Sequence, residues 1–347
     1  MKEILVTGGL GYIGSHTVVA LLNQGFNVVI VDDLSNANAN VLDAIYTITG
    51  VKPKWYLVDV KDLNKLEQVF TWYNFSGVIH FAANKAVGES VVQPLKYYKN
   101  NILGLLNVLE CCEKHQVKNF IFSSSCTVYG QADQMPINEN TPLKTPESPY
   151  GKTKQMGEMI IEDWVNASKS KAIALRYFNP VGSHESCLLG DIPNGIPNNL
   201  LPYITQTAAG IRESLNVFGN DYNTIDGTAI RDYIDVNDLA EAHVKALQHL
   251  ANNSLNEPLM EYYNLGSGKG STVLEIIHTF EKVNNIKIPY QIVDRRAGDI
   301  ESAFADYALA KSKLGWEPMT NLETSLQTAW NFQKQYNTTL NKEKEKI

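Results

Sequence analysis

A doubly wound α/β fold, with helices on both faces of a parallel sheet, is the architecture this sequence predicts. Three observations lead there. Short β-branched runs alternate with longer helical patterns through the first half of the chain. The runs are apolar almost throughout, as strands covered on both faces must be. Glycine or polar residues punctuate the junctions.

The elements follow in order. The expected strands are "EILVTG", "NVVIVDD", "KWYLVDV", "GVIHFAA", "NFIFSSS" and "AIALRYF". Between them "SHTVVALLNQG", "LNKLEQVFTWY", "LGLLNVLECCEKH" and "YGKTKQMGEMIIEDWV" carry apolar residues at helical spacing. Each strand-helix-strand passage implies a right-handed crossover. After about Asn179 the rhythm breaks into Pro, Gly and Asn-rich stretches such as "NPVGSH" and "DIPNGIPNNLLPY". Residues 1–180 are therefore expected to form the sheet domain. Residues 181–347 are expected to be mainly a smaller α/β substrate-binding domain, with some strands and helices returning to the first. The charged tail "NKEKEKI" reads as a solvated terminus.

A chain of 347 residues, 44% of them hydrophobic, is long enough for one large domain or two ordinary ones. No uncharged apolar run approaches the ~18 residues of a membrane span, and no leader-like segment precedes the first strand. A soluble cytoplasmic protein without a membrane partner is expected. The net charge of −7 argues against a nucleic-acid surface, which needs clustered Lys and Arg. Cys111, Cys112, Cys126 and Cys187 show no Cys-x-x-Cys spacing and read as reduced thiols. No His pair brackets a carboxylate at helical spacing, so no metal is expected.

The stretch "VTGGLGYIGSH" gives the sheet domain its ligand. Gly8-x-x-Gly11-x-x-Gly14 lies between a strand and a helix, where a tight turn and a helix N-terminus can face a pyrophosphate. The second strand ends at Asp32, eighteen residues past Gly14, where a carboxylate can accept hydrogen bonds from a ribose. That acid would repel a 2′-phosphate, so the expected cofactor is NAD rather than NADP, on a Rossmann-type sheet. Ligands of open α/β sheets sit at the carboxyl ends of the strands. There Asp59 and Val60 are candidates to meet the adenine, and Phe81, Ala82 and Ala83 to line the cleft. Lys85 and Asn100 are candidates to reach the ribose and phosphates.

"SSSCTVYG" and "SPYGKTK" carry the chemistry. A Tyr-x-x-x-Lys spacing is weak alone, since 17 Tyr and 25 Lys give about one by chance. Here Ser148 can cap a helix with Pro149 at its first position, so Tyr150 and Lys154 fall on one face. A tyrosine near pKa ~10 needs ~4 kcal/mol of preferential anion stabilisation to act as a base at pH 7. A lysine ammonium one turn away, helped by an oxidised nicotinamide, has the right charge. Ser125, at its strand end, can share the proton of a sugar hydroxyl with Tyr150.

The combination of Gly8, Gly11, Gly14, Ser125, Tyr150 and Lys154 resembles the extended short-chain dehydrogenase/reductase family. The longer strings "TGGLGYIGSHT", "FAANKAVGESV", "NFIFSSSCTVYG", "SPYGKTK", "RYFNPVG", "GIPNNLLPYI", "VFGNDYNTIDGTAIRDYIDVNDLA" and "YNLGSGKG" resemble its branch of nucleotide-sugar 4-epimerases, from residue 2 to about residue 335. That resemblance implies interconversion of UDP-galactose and UDP-glucose through a transient 4-keto sugar, with NAD retained through turnover, in a homodimer formed by packing helices. It adds Tyr12, Ile13, Asn36 and Phe178 to the cofactor residues. Arg231 and Arg296 match positions that hold UDP, with Asp299 beside them for the uridine ribose. Asn179, Asn199, Leu200 and the segment Asn216, Val217, Phe218 match substrate-facing positions, the last expected to wall the uracil. With only five arginines in the chain, a planar charged fork at two of these positions suits a diphosphate. Arg176 and Arg212 are left to structural roles.

Two departures from the family pattern matter. Ala83 and Asn84 stand where relatives often have glycine and an apolar residue, which implies altered packing but no loss of function. Ala303 matches a position that gates the sugar's 2-substituent, and alanine there implies room for an N-acetyl group, unless Phe304 or a loop shift closes the pocket. UDP-GalNAc and UDP-GlcNAc are then expected as further substrates. A 4,6-dehydratase would want an Asp-Glu pair where Cys126 and Thr127 stand. A net oxidoreductase would release NADH, and a noncatalytic NAD-binding regulator would not need Ser125, Tyr150 and Lys154 together.

Overall fold

The apolar runs of the first half become strands in the computed structural model of the chain, which describes residues 2–253, 257–296 and 299–344. The tail's last three residues lie outside that range. Strands β1 (Glu3–Thr7), β2 (Asn27–Asp32), β3 (Lys54–Leu57), β4 (Phe75–His80), β5 (Asn119–Ser125) and β6 (Lys171–Tyr177) alternate with helices α1 (Tyr12–Asn23), α2 (Val41–Thr49), α3 (Leu63–Trp72), α4 (Val87–Val92), α5 (Pro94–Tyr97), α6 (Leu103–Lys114) and α7 (Pro149–Ser168). In the second half come β7 (Asn179–Val181), α8 (Leu200–Ala208), β8 (Leu215–Phe218), β9 (Ile230–Asp235), α9 (Val236–Asn252) and β10 (Leu259–Leu265). They are followed by β11 (Gly270–Thr272), α10 (Val273–Asn284), β12 (Tyr290–Val293), β13 (Ser302–Ala303), α11 (Ala308–Leu314) and α12 (Leu322–Lys344).

The main sheet has seven parallel strands in the order β10-β6-β5-β4-β1-β2-β3. Strand alternation divides its side chains between two cores. Ile4, Val6, Val28 and Ile30 pack with α1, α2 and α9, whereas Leu5, Val29 and Val31 pack with α3, α6 and α7. The order reverses between β1 and β4, and this switch point is where such sheets open a crevice. β10, from the second half of the chain, pairs in register with β6 from Leu259↔Lys171 to Leu265↔Tyr177.

Beyond the main sheet, β9 pairs with β7, β11 and β13, and β8 pairs with β12. α8, α10 and α12 pack on these strands through Ile204, Ile276, Ile277, Phe280, Leu326 and Trp330. A small cluster of Val128, Tyr129, Ile137, Phe178, Ala303 and Ala305 joins the end of β5 to β13. No helix among the described residues is long and apolar enough to cross a membrane.

Candidate active site

The glycine turn packs too tightly for side chains at two of its three positions. Gly8 has φ +70°, and a Cβ on it would sit 2.8 Å from the Ala82 nitrogen; a Cβ on Gly14 would sit 2.2 Å from the Gly8 oxygen. Gly11 differs, because its Cβ would meet only that oxygen, at 3.4 Å, an ordinary contact. Gly11 caps α1 without any side-chain hydrogen bond. The first-turn N–H groups, on Tyr12, Ile13 and Gly14, therefore face a cradle suited to a pyrophosphate.

At the end of β2 the buried Asp32 accepts from Leu10 N (3.0 Å) and Leu34 N (2.9 Å), one bond on each oxygen. A carboxylate has about four acceptor sites, so two remain for ribose hydroxyls. Burial pushes this carboxyl up, against the two backbone donors. Asn36 is exposed in the following loop. Asp59 pairs with Lys61 at 2.8 Å, and Lys61 also donates to Asn100 Oδ1 at 2.8 Å, so these residues meet at one rim.

Val60 can meet the cleft through its backbone alone. Its side chain turns into the core, where a Cβ on Gly104 would lie 2.7 Å from its Cγ2, and its carbonyl accepts from Asn107. Only its backbone N–H is left for an adenine. Across the switch point Phe81, Ala82 and Ala83 are half-buried. Lys85 Nζ sits 5.8 Å from the centre of the Tyr12 ring and 3.9 Å from Asp191. Tyr12 itself donates to Gly182 O (2.7 Å), tying α1 to the second half of the chain.

The helix bearing Tyr150 and Lys154 starts as its sequence suggests: Ser148 Oγ accepts from Gly151 N at 3.2 Å, with Pro149 in the first turn. Lys154 is 3% exposed and donates to Ser123 O at 2.5 Å, with its nitrogen 5.8 Å from the Tyr150 ring centre and 5.0 Å from that of Phe122. Burial lowers Lys154 to about 7, opposed by Glu158. Burial pushes the Tyr150 phenol up to about 12, opposed by the Ser125 hydroxyl, which favours the phenolate. A phenolate at neutral pH therefore needs ~7 kcal/mol from charges around it rather than the ~4 of a free tyrosine.

Sequence reasoning left Arg176 to a structural role, which it has, and gave no place in this centre to Glu158, Asn101 or Thr127. Arg176 forms a buried two-pronged pair with Glu158 (2.9 and 2.6 Å), which also accepts from Ser124 at 2.5 Å. Asn101 links the Asn84 backbone (2.8 and 3.0 Å) to Thr153 (3.0 Å), fixing the loop after β4 against α7. Thr127 donates twice to Ser125 Oγ, from N (3.2 Å) and from Oγ1 (3.0 Å). The one-turn spacing of Lys154 and Glu158 is the only advance signal of this set.

On the substrate side, Asp299 lies between Arg296 (2.8 Å), three residues before it, and Arg231 (3.8 Å), which brings β9 beside the segment that follows β12. Phe218 is 38% exposed beneath the Arg296 guanidinium, 5.5 Å away. Val217, 1% exposed, turns the other way into the core, so the expectation that it walls a uracil is corrected by strand alternation. Asn216 instead bonds to Gln291 (2.8 Å). Asn199 is exposed at the start of α8 without capping it, next to the half-buried Leu200. Asn179 begins β7 beside Tyr233, just past the buried Phe178. Ala303 pairs in register with Arg231, while the Phe304 ring lies against Gly270, where a Cβ would be 3.0 Å from it. Ala303 itself is buried, 3% exposed, in the cluster with Val128, Tyr129 and Phe178.

Among the described residues no group of three or more His, Cys, Asp or Glu could hold a metal. Fold and site define a dinucleotide-binding enzyme of the extended short-chain dehydrogenase/reductase type. The sequence profile described as GDP-mannose 4,6 dehydratase matches residues 5–329. UDP-glucose 4-epimerase of Bacillus subtilis (strain 168) is 51% identical over 331 residues, covering 95% of this chain and 96% of its own. The crystal structure of the Bifidobacterium longum UDP-glucose 4-epimerase, in complex with NAD+ and UDP, is 43% identical with a TM-score of 0.93, over 97% of this chain and 99% of that one. That of Stenotrophomonas maltophila, with bound NAD and formylated UDP-arabinopyranose, is 42% identical with a TM-score of 0.93, over 98% and 100%. The chain belongs to the UDP-glucose 4-epimerase family.

Proposed function

We propose that this protein interconverts UDP-galactose and UDP-glucose, as an NAD-dependent isomerase, and also UDP-GalNAc and UDP-GlcNAc. The observation that carries the reading is that Ser125 ends β5 and Tyr150 and Lys154 lie in the first turns of α7, with β4 between β5 and the strand that leads into the glycine turn. Gly8, Gly11, Gly14, Asp32, Asn100 and Lys85 would hold the dinucleotide. NAD, when bound, supplies the acceptor and then the donor of hydrogen at the sugar's C4.

Tyr150 takes the proton of the 4-hydroxyl as C4 becomes a flat carbonyl, and returns it once the sugar has presented its other face. Lys154, its nitrogen 5.8 Å from the Tyr150 ring centre, supplies positive charge in its protonated form, and Ser125 would donate to the phenol oxygen. Arg231 and Arg296 would grip the diphosphate while the sugar turns, with Asp299 at the ribose. The wider substrate range rests on Ala303 and on Phe304 facing Gly270. Elimination of water would need an acid and a base where Cys126 and Thr127 stand.

A homodimer is supported by exposed apolar residues on neighbouring helices: Leu103 and Leu106 on α6, Met156 and Met159 on α7. Light scattering at twice the chain mass is the expected result. Incubating the purified protein with UDP-galactose and with UDP-GalNAc, without added NAD, tests the rest. Formation of UDP-glucose and UDP-GlcNAc is expected. Conversion of UDP-galactose alone removes the wider range, and reduced nicotinamide accumulating in proportion to substrate replaces the isomerase with a net oxidoreductase.

A further inference from the structure

The hydrogen-bond inventory at Ser125 is unusual for a residue thought to pass protons. A serine hydroxyl has one proton to give and two lone pairs with which to accept. Thr127 fills both lone pairs, one with its backbone N–H at 3.2 Å and one with its hydroxyl at 3.0 Å. Thr127 cannot easily turn aside. It sits in the short turn Cys126–Tyr129 that Ser125 caps, and α7 presses on it where a Cβ on Gly151 would be 3.3 Å from both its Cβ and its carbonyl oxygen.

What remains to Ser125 is its own O–H, for which the Tyr150 oxygen and the Cys126 sulfur are the neighbouring acceptors. The sulfur is the weaker of the two. We propose that Thr127 is a positioning residue that commits Ser125 to act only as a donor, holding its single proton toward the reacting oxygens at Tyr150. Ser125 is then not a relay that accepts the sugar proton and hands it on. It is a fixed dipole that steadies negative charge, first on the phenolate and then on the sugar oxygen.

This inference rests on the epimerase reading and deepens it. The test uses the holoenzyme with UDP-galactose and compares Thr127→Val, which keeps the shape and the N–H but removes the hydroxyl donor, with Thr127→Ser, which keeps the donor. Without the hydroxyl, Ser125 regains a free lone pair and its proton is no longer directed at Tyr150. Thr127→Val is expected to lower kcat about 3- to 10-fold with KM little changed. It should also move the acid limb of the kcat/KM profile up by about half to one pH unit, since the phenolate loses a donor.

Thr127→Ser is expected to stay within about twofold of wild type and to keep its pH profile. Should Thr127→Val fail to fold, Thr127→Ala removes the same donor and carries the same expectation. A hydroxyl-free variant with an unshifted pH profile overturns the proposal, as does a loss that Thr127→Ser shares. A wild-type protein inactive on UDP-galactose defeats the epimerase reading instead, so the two failures are distinguishable.

Discussion

Gly11 and Gly14 look alike in the sequence, yet alanine at each should fail in a different way. At Gly14 the new methyl would lie 2.2 Å from the Gly8 oxygen and 2.9 Å from the Gly9 Cα, both backbone atoms. Ordinary contact begins near 3.4 Å, so the turn must open by about 1.2 Å with no side chain able to swing away. Overpacking of this kind costs about 1–3 kcal/mol, and backbone neighbours place Gly14→Ala at the upper end. At Gly11 the methyl meets one atom at 3.4 Å, and φ −72°, ψ 175° suits any residue. The lost flexibility of the unfolded chain offsets the poorer helix cap, leaving stability within about 0.5 kcal/mol.

That methyl nevertheless stands on the open side of the turn, where a phosphate must come within hydrogen-bond reach of the backbone. Losing charge-assisted bonds there costs about 1.5–3 kcal/mol, or roughly 10- to 100-fold in NAD affinity. The assay is thermal unfolding of NAD-stripped protein beside a titration with NAD. Gly14→Ala should melt several degrees early and bind poorly, whereas Gly11→Ala should melt like wild type and still bind poorly. Normal NAD affinity in Gly11→Ala would refute the placement of the pyrophosphate over this turn. An unchanged melting temperature in Gly14→Ala would refute the steric argument.

Tyr150→Phe should abolish epimerisation of UDP-galactose while NAD stays bound, read as turnover against cofactor content; retained turnover would remove Tyr150 as the base. Glu158→Gln leaves the buried Arg176 guanidinium without its counter-charge, at a cost of about 3–5 kcal/mol in denaturant unfolding. Replacing both residues by apolar ones of similar volume should recover much of that. Burial lowers His16 and His243 to about 4 and His80 to about 3. An unfolded chain binds their protons near pH 6.5 and the folded one does not, so stability is full above 6.5 and falls as pH drops. Once all three titrate, the slope approaches ~4 kcal/mol per pH unit, until the buried carboxylates, raised by burial, begin to oppose it nearer pH 4. Urea unfolding at pH 7.5 and 5.5 measures the difference.

Much of this protein was legible in the sequence because it is local. The apolar runs of the first half could only be strands covered on both faces, and the glycine spacing, the acid ending β2 and the capped Tyr150 helix each depend on residues a few positions apart. Periodicity of two and of 3.6 fixes such features before any long-range contact forms. Other features needed the folded chain. Val60 and Val217 stand in candidate segments, but alternation within their own segments turned both side chains into the core, and a single residue's phase is not visible in a short apolar run. The pairing of Arg176 with Glu158, the approach of Arg231 to Asp299, and the return of β10 beside β6 join segments that local pattern does not connect. Tertiary packing decided them, because only a closed sheet sets which strand ends face one another and which polar groups, once buried, must find partners.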